Sequence, residues 1–390
     1  MLISSRMDQL TPLATTAVHG HVEAMRLAGE EVIDFSIAIS HFAAPLSVCT
    51  TVAHMALNGH VAYTSVGGAH RVKVQLADKL QRENSLEVDP AELILTNGAK
   101  QGLFEALSVL SAPGDTIIVW RPYWPAYLAS ASLLRLHVVQ AELPELITAA
   151  FLSTLPAARC MIINNPHNPT GKVFSEEELR LLAAWLRTHD CRAIVDESYE
   201  KLIFHGRHHS LAGFTDWRAL GVITLFSASQ SFAMMGWRAG FAVGPRSVIA
   251  AMEVLQGPIT AAPSELTQAA IGAAFSGADP GDMLDDYRMR RDLVCDMLAG
   301  VSWLSVQTPD SGPYLWLDVR ALQCDTAVFA NQLLSRYRVA VMPGDALGKP
   351  GWIRIGFIAD DVATLRRGVD LLRRCGDEVD AQRGVMRPAV

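Results

Sequence analysis

Met161–Ser198 reads MIINNPHNPTGKVFSEEELRLLAAWLRTHDCRAIVDES. It opens on a short apolar run, Met161 to Ile163, and closes on another, Ala193 to Val195. Between them, NNPHNPTG (Asn164 to Gly171) carries prolines, asparagines and a closing glycine, the composition of a rigid turn. Ser175 to Thr188 then places Leu179, Leu182 and Trp185 on one helical face, with Ser175 and Glu178 spaced as a capping box. Ile117 to Val119 and Val222 to Phe226 are further short apolar runs bounded by turn residues. Apolar strands alternating with helices predict an α/β fold with a mostly parallel sheet covered on both sides.

The 390 residues suffice for one large domain and a smaller one. The texture changes after about residue 280. Asp282 to Leu298 is a long charged amphipathic helix, followed by YLWLDV, FANQLLSRY, VAVMP and IRIGF, which read as strand, helix, strand, strand. This predicts a large domain over 43–279 and a small α+β domain from 280–390 together with the N-terminal arm, 1–42. The terminal GDEVDAQRGVMRPAV is polar and is expected to be a loose tail.

Net charge is −7 with both signs scattered, which argues against nucleic acid or an anionic membrane as partner. Six cysteines lie far apart with no CxxC spacing, as expected of reduced thiols in a cytoplasmic protein with no metal site. MLISSRMDQL lacks the apolar centre of a signal peptide, and no apolar run reaches membrane-spanning length. The dinucleotide G-x-G, the P-loop, the G-x-S-x-G elbow and H-E-x-x-H are all missing. Nicotinamide redox chemistry, P-loop hydrolysis, α/β-hydrolase chemistry and zinc proteolysis lose their usual support.

Other segments carry ligand-binding chemistry. Leu95 to Leu110, LTNGAKQGLFEALSVL, is a strand end, a glycine turn and a helix whose first turn offers free N–H groups near Ala99 and Lys100. Such a start suits a phosphate dianion, although an ordinary strand–helix turn reads the same. Asp196 ends an apolar strand, where a carboxylate either caps a turn or faces a cation, and Tyr199 follows three residues later. Phe226 to Gly240, FSASQSFAMMGWRAG, adds Ser227, Ser229 and Arg238, hydroxyls and a guanidinium fit for an anion.

In this order the motifs resemble the aminotransferase class I/II family of pyridoxal-phosphate enzymes of fold type I. The resemblance runs from VIDFSIA near Ile33 to WIRIGF at Arg354, through NPHNPTG and D-x-x-Y. It implies pyridoxal 5′-phosphate (or pyridoxamine 5′-phosphate) as cofactor. Ala99, Lys100, Ser227, Ser229 and Arg238 would bind its phosphate and Trp124 would stack on its ring. Asn168 and Tyr199 would bond the ring oxygen, and Asp196 would pair with the ring nitrogen. Arg354 would take the substrate carboxylate. Tyr63 would reach the phosphate of a second subunit, which implies a homodimer. The substrates would be an α-amino acid and a 2-oxo acid.

Two positions depart from the family pattern. Gln230 stands where the family has its Schiff-base lysine, and an amide can neither attack a carbonyl nor take a proton near pH 7. The chain is therefore expected to bind cofactor and turn over poorly. Either the lysine was replaced so that a cofactor–substrate adduct survives, or the chain carries glutamine by nature. In the second case it uses another base, with Tyr199, His41 and Tyr63 as candidates, or it only binds ligand. The otherwise complete residue set favours the first. A lyase or decarboxylase would share the same cofactor residues. The second departure is at SIAISHF, where Ala38, Ser40 and His41 replace the family's Gly-x-Pro-Asp. Ala38 and His41 are expected on the substrate side, where His41 is either a plain loop residue or sets an unusual substrate preference.

Overall fold

The computed structural model describes residues 12–359 and 361–385; MLISSRMDQL and the end of the polar tail lie outside the described residues. A short strand, β1 (Ile33–Asp34), precedes the main sheet. That sheet contains β2 (Leu93–Thr96), β3 (Thr116–Arg121), β4 (His137–Glu142), β5 (Cys160–Asn164), β6 (Arg192–Asp196), β7 (Val222–Ser227) and β8 (Gly240–Val243). The seven strands lie in the order β2-β8-β7-β6-β5-β3-β4. Pairings from β7 through β4 are parallel, while β8 runs antiparallel to both neighbours.

The continuous apolar runs follow from this placement. Every residue of β5 and β7 is buried, because both sheet faces are covered. Met161 and Ile163 join one core and Ile162 the other, the alternation that a strand imposes. Helix Glu176–Thr188 connects β5 to β6, with the Ser175–Glu178 capping box formed at its start. Its Leu179, Leu182 and Trp185 are buried against the sheet.

A smaller antiparallel sheet holds β9 (Ser305–Val306), β10 (Tyr314–Asp318), β12 (Met342–Pro343) and β13 (Trp352–Gly356) in the order β12-β13-β10-β9. Between them in the chain, β11 (Val339–Ala340) pairs in parallel with β1, which ties the N-terminal arm to this part of the molecule. Helices Gly281–Leu298 and Thr326–Tyr337 pack here around Trp303, Leu315 and Phe329.

The tail departs from expectation. Gly376 to Val385 continue one helix, Val362–Val385, instead of forming a loose end. Leu365, Val369, Leu372 and Cys375 form its buried stripe, and Asp377 accepts a 2.8 Å hydrogen bond from the Trp303 indole. The polar composition of this segment is the solvent face of an amphipathic helix.

Candidate active site

Parallel strands place their last residues along one edge, and here β5, β6 and β7 end at Asn164, Asp196 and Ser227. A cavity of about 620 Å³ lies over this edge and is lined by all three. Asp196 is its buried acid. Its Oδ2 accepts from the Tyr127 hydroxyl at 2.8 Å, and its Oδ1 accepts from the Ser198 N–H at 3.1 Å and Oγ at 2.6 Å. Burial pushes its pKa up, and the Ser198 and Tyr127 bonds pull the other way. No cationic side chain pairs with Asp196 among the described residues. The cavity therefore has a buried carboxyl, held by neutral donors, that lacks a counter-charge.

The opposite chemistry stands at the start of helix Ala99–Leu110. The N–H groups of Ala99 and Lys100 have no internal acceptor among the described residues. Arg238 sits beside them in the left-handed region, φ 53. Its Nη1 donates to the Met235 carbonyl at 2.9 Å and meets Ser229 Oγ at 3.4 Å. Gly240 permits this approach: a Cβ there would lie 2.9 Å from the Ala99 nitrogen and 2.8 Å from the Phe226 carbonyl oxygen. The Lys100 amine lies 5.2 Å from the Trp124 ring centroid. Burial, and then the Arg238 charge, lower its pKa.

Asn168 links the acid to the substrate-side guanidinium. Its N–H donates to Asn164 Oδ1 at 2.7 Å, and Asn164 Nδ2 donates to the Asp196 carbonyl at 3.0 Å. Its side chain meets the Tyr199 hydroxyl at 3.3 Å and accepts from Arg354 Nη1 at 3.1 Å. Arg354 is almost completely buried, stacks 3.8 Å from the Tyr314 ring centroid and donates from Nη2 to the Ser36 carbonyl at 2.8 Å. Its Nε has no partner. Burial, and then Tyr314, raise the Tyr199 hydroxyl well above its ordinary range, so it stays a neutral donor.

Gln230 also faces this cavity. Its Nε2 donates to the Ala38 carbonyl at 3.2 Å, while its Oε1 is buried without a partner.

Ala38, Ala99, Lys100, Trp124, Asn168 and Asp196 thus meet around one cavity, as do Tyr199, Ser227, Ser229, Gln230, Arg238 and Arg354. His41 does not line it, which corrects the expectation of a substrate-side position. Its Nδ1 is 2.9 Å from the Ile358 carbonyl oxygen and its Nε2 is 3.5 Å from Asp286. Those partners turn the ring toward helix Gly281–Leu298. Tyr63 is fully exposed and outside the cavity, so a role at a phosphate requires a second subunit.

Sequence reasoning missed Tyr127, Ser198, Asn164, Tyr314 and His19. Asn164 opens the turn already singled out and Ser198 lies between Asp196 and Tyr199, so both were within reach. Tyr127 and Tyr314 come from a helix and the smaller sheet, and no spacing signal connects them to Asp196 or Arg354.

Residues 30–372 match the family model for aminotransferase class I and II. The chain is 30% identical to an aspartate/prephenate aminotransferase of Thermus thermophilus over 95% of its length and 98% of the relative's. It is 29% identical to an aspartate aminotransferase of Bacillus subtilis over 96% of its length and 98% of that protein's. The crystal structure of the Rhizobium meliloti aspartate aminotransferase superposes with a TM-score of 0.89 at 28% identity, covering 97% of this chain and 99% of the other. Aspartate aminotransferase from Thermus thermophilus with maleate gives 0.88 at 30% identity, over 96% of this chain and 100% of that one. Enzymes of this kind depend on pyridoxal phosphate. With a matching fold and a family match over most of its length, the chain belongs to the class I and II aminotransferases.

Proposed function

We propose that the protein binds pyridoxal phosphate in this cavity and positions an α-amino acid and a 2-oxo acid as an aminotransferase does, with turnover limited by Gln230. The observation that carries the reading is the buried Asp196, without a counter-cation, in the cavity that also receives the helix start at Ala99 and Lys100. A protonated ring nitrogen answers the first, and a phosphate answers the second with Arg238 and Ser229. The residues present therefore fit the cofactor.

When bound, the cofactor supplies a carbonyl for the substrate amine and an electron-withdrawing ring that stabilises negative charge at the substrate Cα. The protein's own groups do the rest. Asp196 would keep the proton on the ring nitrogen, and Tyr127 and Ser198 hold its two oxygens in place. Tyr199 and Asn168 offer donors at the ring oxygen. Arg354, fixed by Asn168 and the Ser36 carbonyl, orients the substrate carboxylate. Gln230 commits one of its two amide N–H groups to the Ala38 carbonyl, and its free Oε1 would accept a hydrogen bond without taking a proton from Cα. Gln230 would therefore form no covalent bond to the cofactor, and the family's proton carrier is missing.

A naturally lysine-less binding protein is the second reading. It draws on the hydrogen bond that Gln230 makes to Ala38. One comparison separates the two: the protein and Gln230→Lys, each loaded with pyridoxal phosphate, desalted, reduced with borohydride and weighed by mass spectrometry. Retention of cofactor by both, with a covalent adduct in Gln230→Lys alone, is the expected result. Transamination should rise by roughly 10²-fold or more in that variant. Silence of a cofactor-loaded Gln230→Lys favours the binding protein, and failure of both chains to retain cofactor overturns the proposal.

We read 43–279 as the large domain and 1–42 with 280–390 as the small one, a reading supported by the separate core around Trp303, Leu315 and Phe329. A homodimer completes the site, since Tyr63 stands clear of its own chain. Free cysteines at all six positions suit a reducing, cytoplasmic setting, and among the described residues no helix is long and apolar enough to cross a membrane.

A further inference from the structure

The family's lysine is an amine; the residue in its place is an amide, and the two ends of an amide are not equivalent. Gln230 stands on the short helix Ala228–Ser231 that follows β7, and it lines the cavity. One contact decides how its amide is turned. The Ala38 carbonyl, an acceptor only, receives Nε2 at 3.2 Å. A flipped amide would set Oε1 against that carbonyl oxygen, acceptor against acceptor, so the orientation is fixed. Ala38 is itself buried, and its N–H donates to the Tyr314 hydroxyl at 3.3 Å, which holds the carbonyl in place. Oε1 is left buried with no hydrogen-bond partner. An orphaned buried acceptor is destabilising until a donor reaches it. An amide does not titrate near neutral pH, so this oxygen is an acceptor at every working pH.

We propose that Gln230 is a specificity-determining residue for the cofactor itself: through Oε1 it makes this chain retain the amine form, pyridoxamine phosphate, in preference to the aldehyde. The inference rests on the pyridoxal-phosphate reading above. The two forms share ring, ring nitrogen and phosphate, so Asp196, Arg238 and the helix start at Ala99 treat them alike. They differ at one group, the one that the family's lysine meets. The amine carries N–H donors whether or not it is protonated, and the aldehyde carries none. The amine therefore satisfies Oε1, while the aldehyde leaves it an orphan even when it takes the second Nε2 hydrogen. The covalent hold that favours the aldehyde in the family is lost with the lysine. Both effects have the same sign. A protein so disposed waits for a 2-oxo acid, the co-substrate that condenses with an amine.

The test titrates the full-length protein, stripped of cofactor, together with Gln230→Leu and Gln230→Glu. The ligands are pyridoxamine phosphate, pyridoxal phosphate and 4-deoxypyridoxine phosphate, whose methyl group neither donates nor accepts. Binding is read by quenching of tryptophan fluorescence. Pyridoxamine phosphate should bind the unaltered protein about tenfold more tightly than either of the others, the scale of one hydrogen bond to a buried group. Gln230→Leu keeps the bulk and removes the acceptor, so the three ligands should come within about twofold of one another. Gln230→Glu, which keeps an acceptor and adds charge, should restore the preference for the amine. Equal binding of the amine and methyl ligands by the unaltered protein, tighter binding of the aldehyde, or an unchanged ranking in Gln230→Leu overturns the inference. In each of those outcomes a cofactor ligand binds, and the parent reading stands without it. If none of the three ligands binds, the parent reading fails as well.

Discussion

The floor of the cavity is made of strand ends, with Asn164, Asp196 and Ser227 closing three neighbouring parallel strands. The facing wall comes from a helix and a loop, which contribute His19, Ala38 and the Ser36 carbonyl. On the floor, the hydrogen-bond ladder of the sheet sets the spacing between side chains, and burial on both faces removes alternative positions. On the wall, position comes from docking: the β1–β11 pairing, the Asp34 contacts and the Gln230–Ala38 hydrogen bond. The floor keeps the family's residues apart from Gln230, and the wall departs from them at Ala38, while Ser40 and His41, which also depart, lie outside the cavity lining. The groups that fit the cofactor are thus set by the rigid element, and the departure from the family pattern at Ala38 sits on the docked one.

The largest way to break this contrast is at Asp196. Asp196→Asn keeps the shape and removes the counter-charge for a ring cation. Losing one partner of a buried pair costs about 3–5 kcal/mol, so cofactor affinity should fall by at least roughly 10²-fold, read by fluorescence titration. An Asp196→Asn protein that binds cofactor normally would remove the floor from the mechanism. Next, Arg354→Lys should weaken every amino acid alike, by roughly tenfold, because a point charge replaces a planar fork. A change confined to one side-chain class would show that Arg354 does more than hold the shared carboxylate.

The smallest effect concerns the helix that opens at Ala99. Glu105 is buried on it, and burial pushes its carboxyl up to about 7 against the opposing Gln101 hydrogen bond. The folded protein therefore binds this proton more tightly than the unfolded chain. The Glu105 contribution to stability should be fully present below about pH 4.5 and be lost as pH rises through about 7. Glu105→Gln should flatten that decline in Tm, measured by thermal denaturation, and an unchanged pH slope would show that Glu105 is not the group responsible.

The sheet was legible because β5, β6 and β7 are buried on both faces and read as unbroken apolar runs. Two features escaped. β8, Gly240–Val243, is a short strand that enters antiparallel between β2 and β7, and nothing in its few residues signals that direction. The final helix was hidden by composition: its charged residues outnumber the stripe of Leu365, Val369, Leu372 and Cys375 that anchors it. In the site, Asp196 and Arg354 lie inside motifs, whereas Tyr127 touches Asp196 only through the fold. His19 was invisible for the same reason, since its partner Asp34 lies on a different element, reached through a turn.

One contact near the helix start constrains how this site can change. Gly98 has φ 75, and a Cβ placed on it would lie 2.6 Å from Arg238 Nη2. Any larger residue there would push the guanidinium away from the start of helix Ala99–Leu110, and the positive φ would strain the substitution as well. Glycine at 98 thus answers two demands at once, a left-handed backbone and the close approach of a guanidinium from a distant part of the chain.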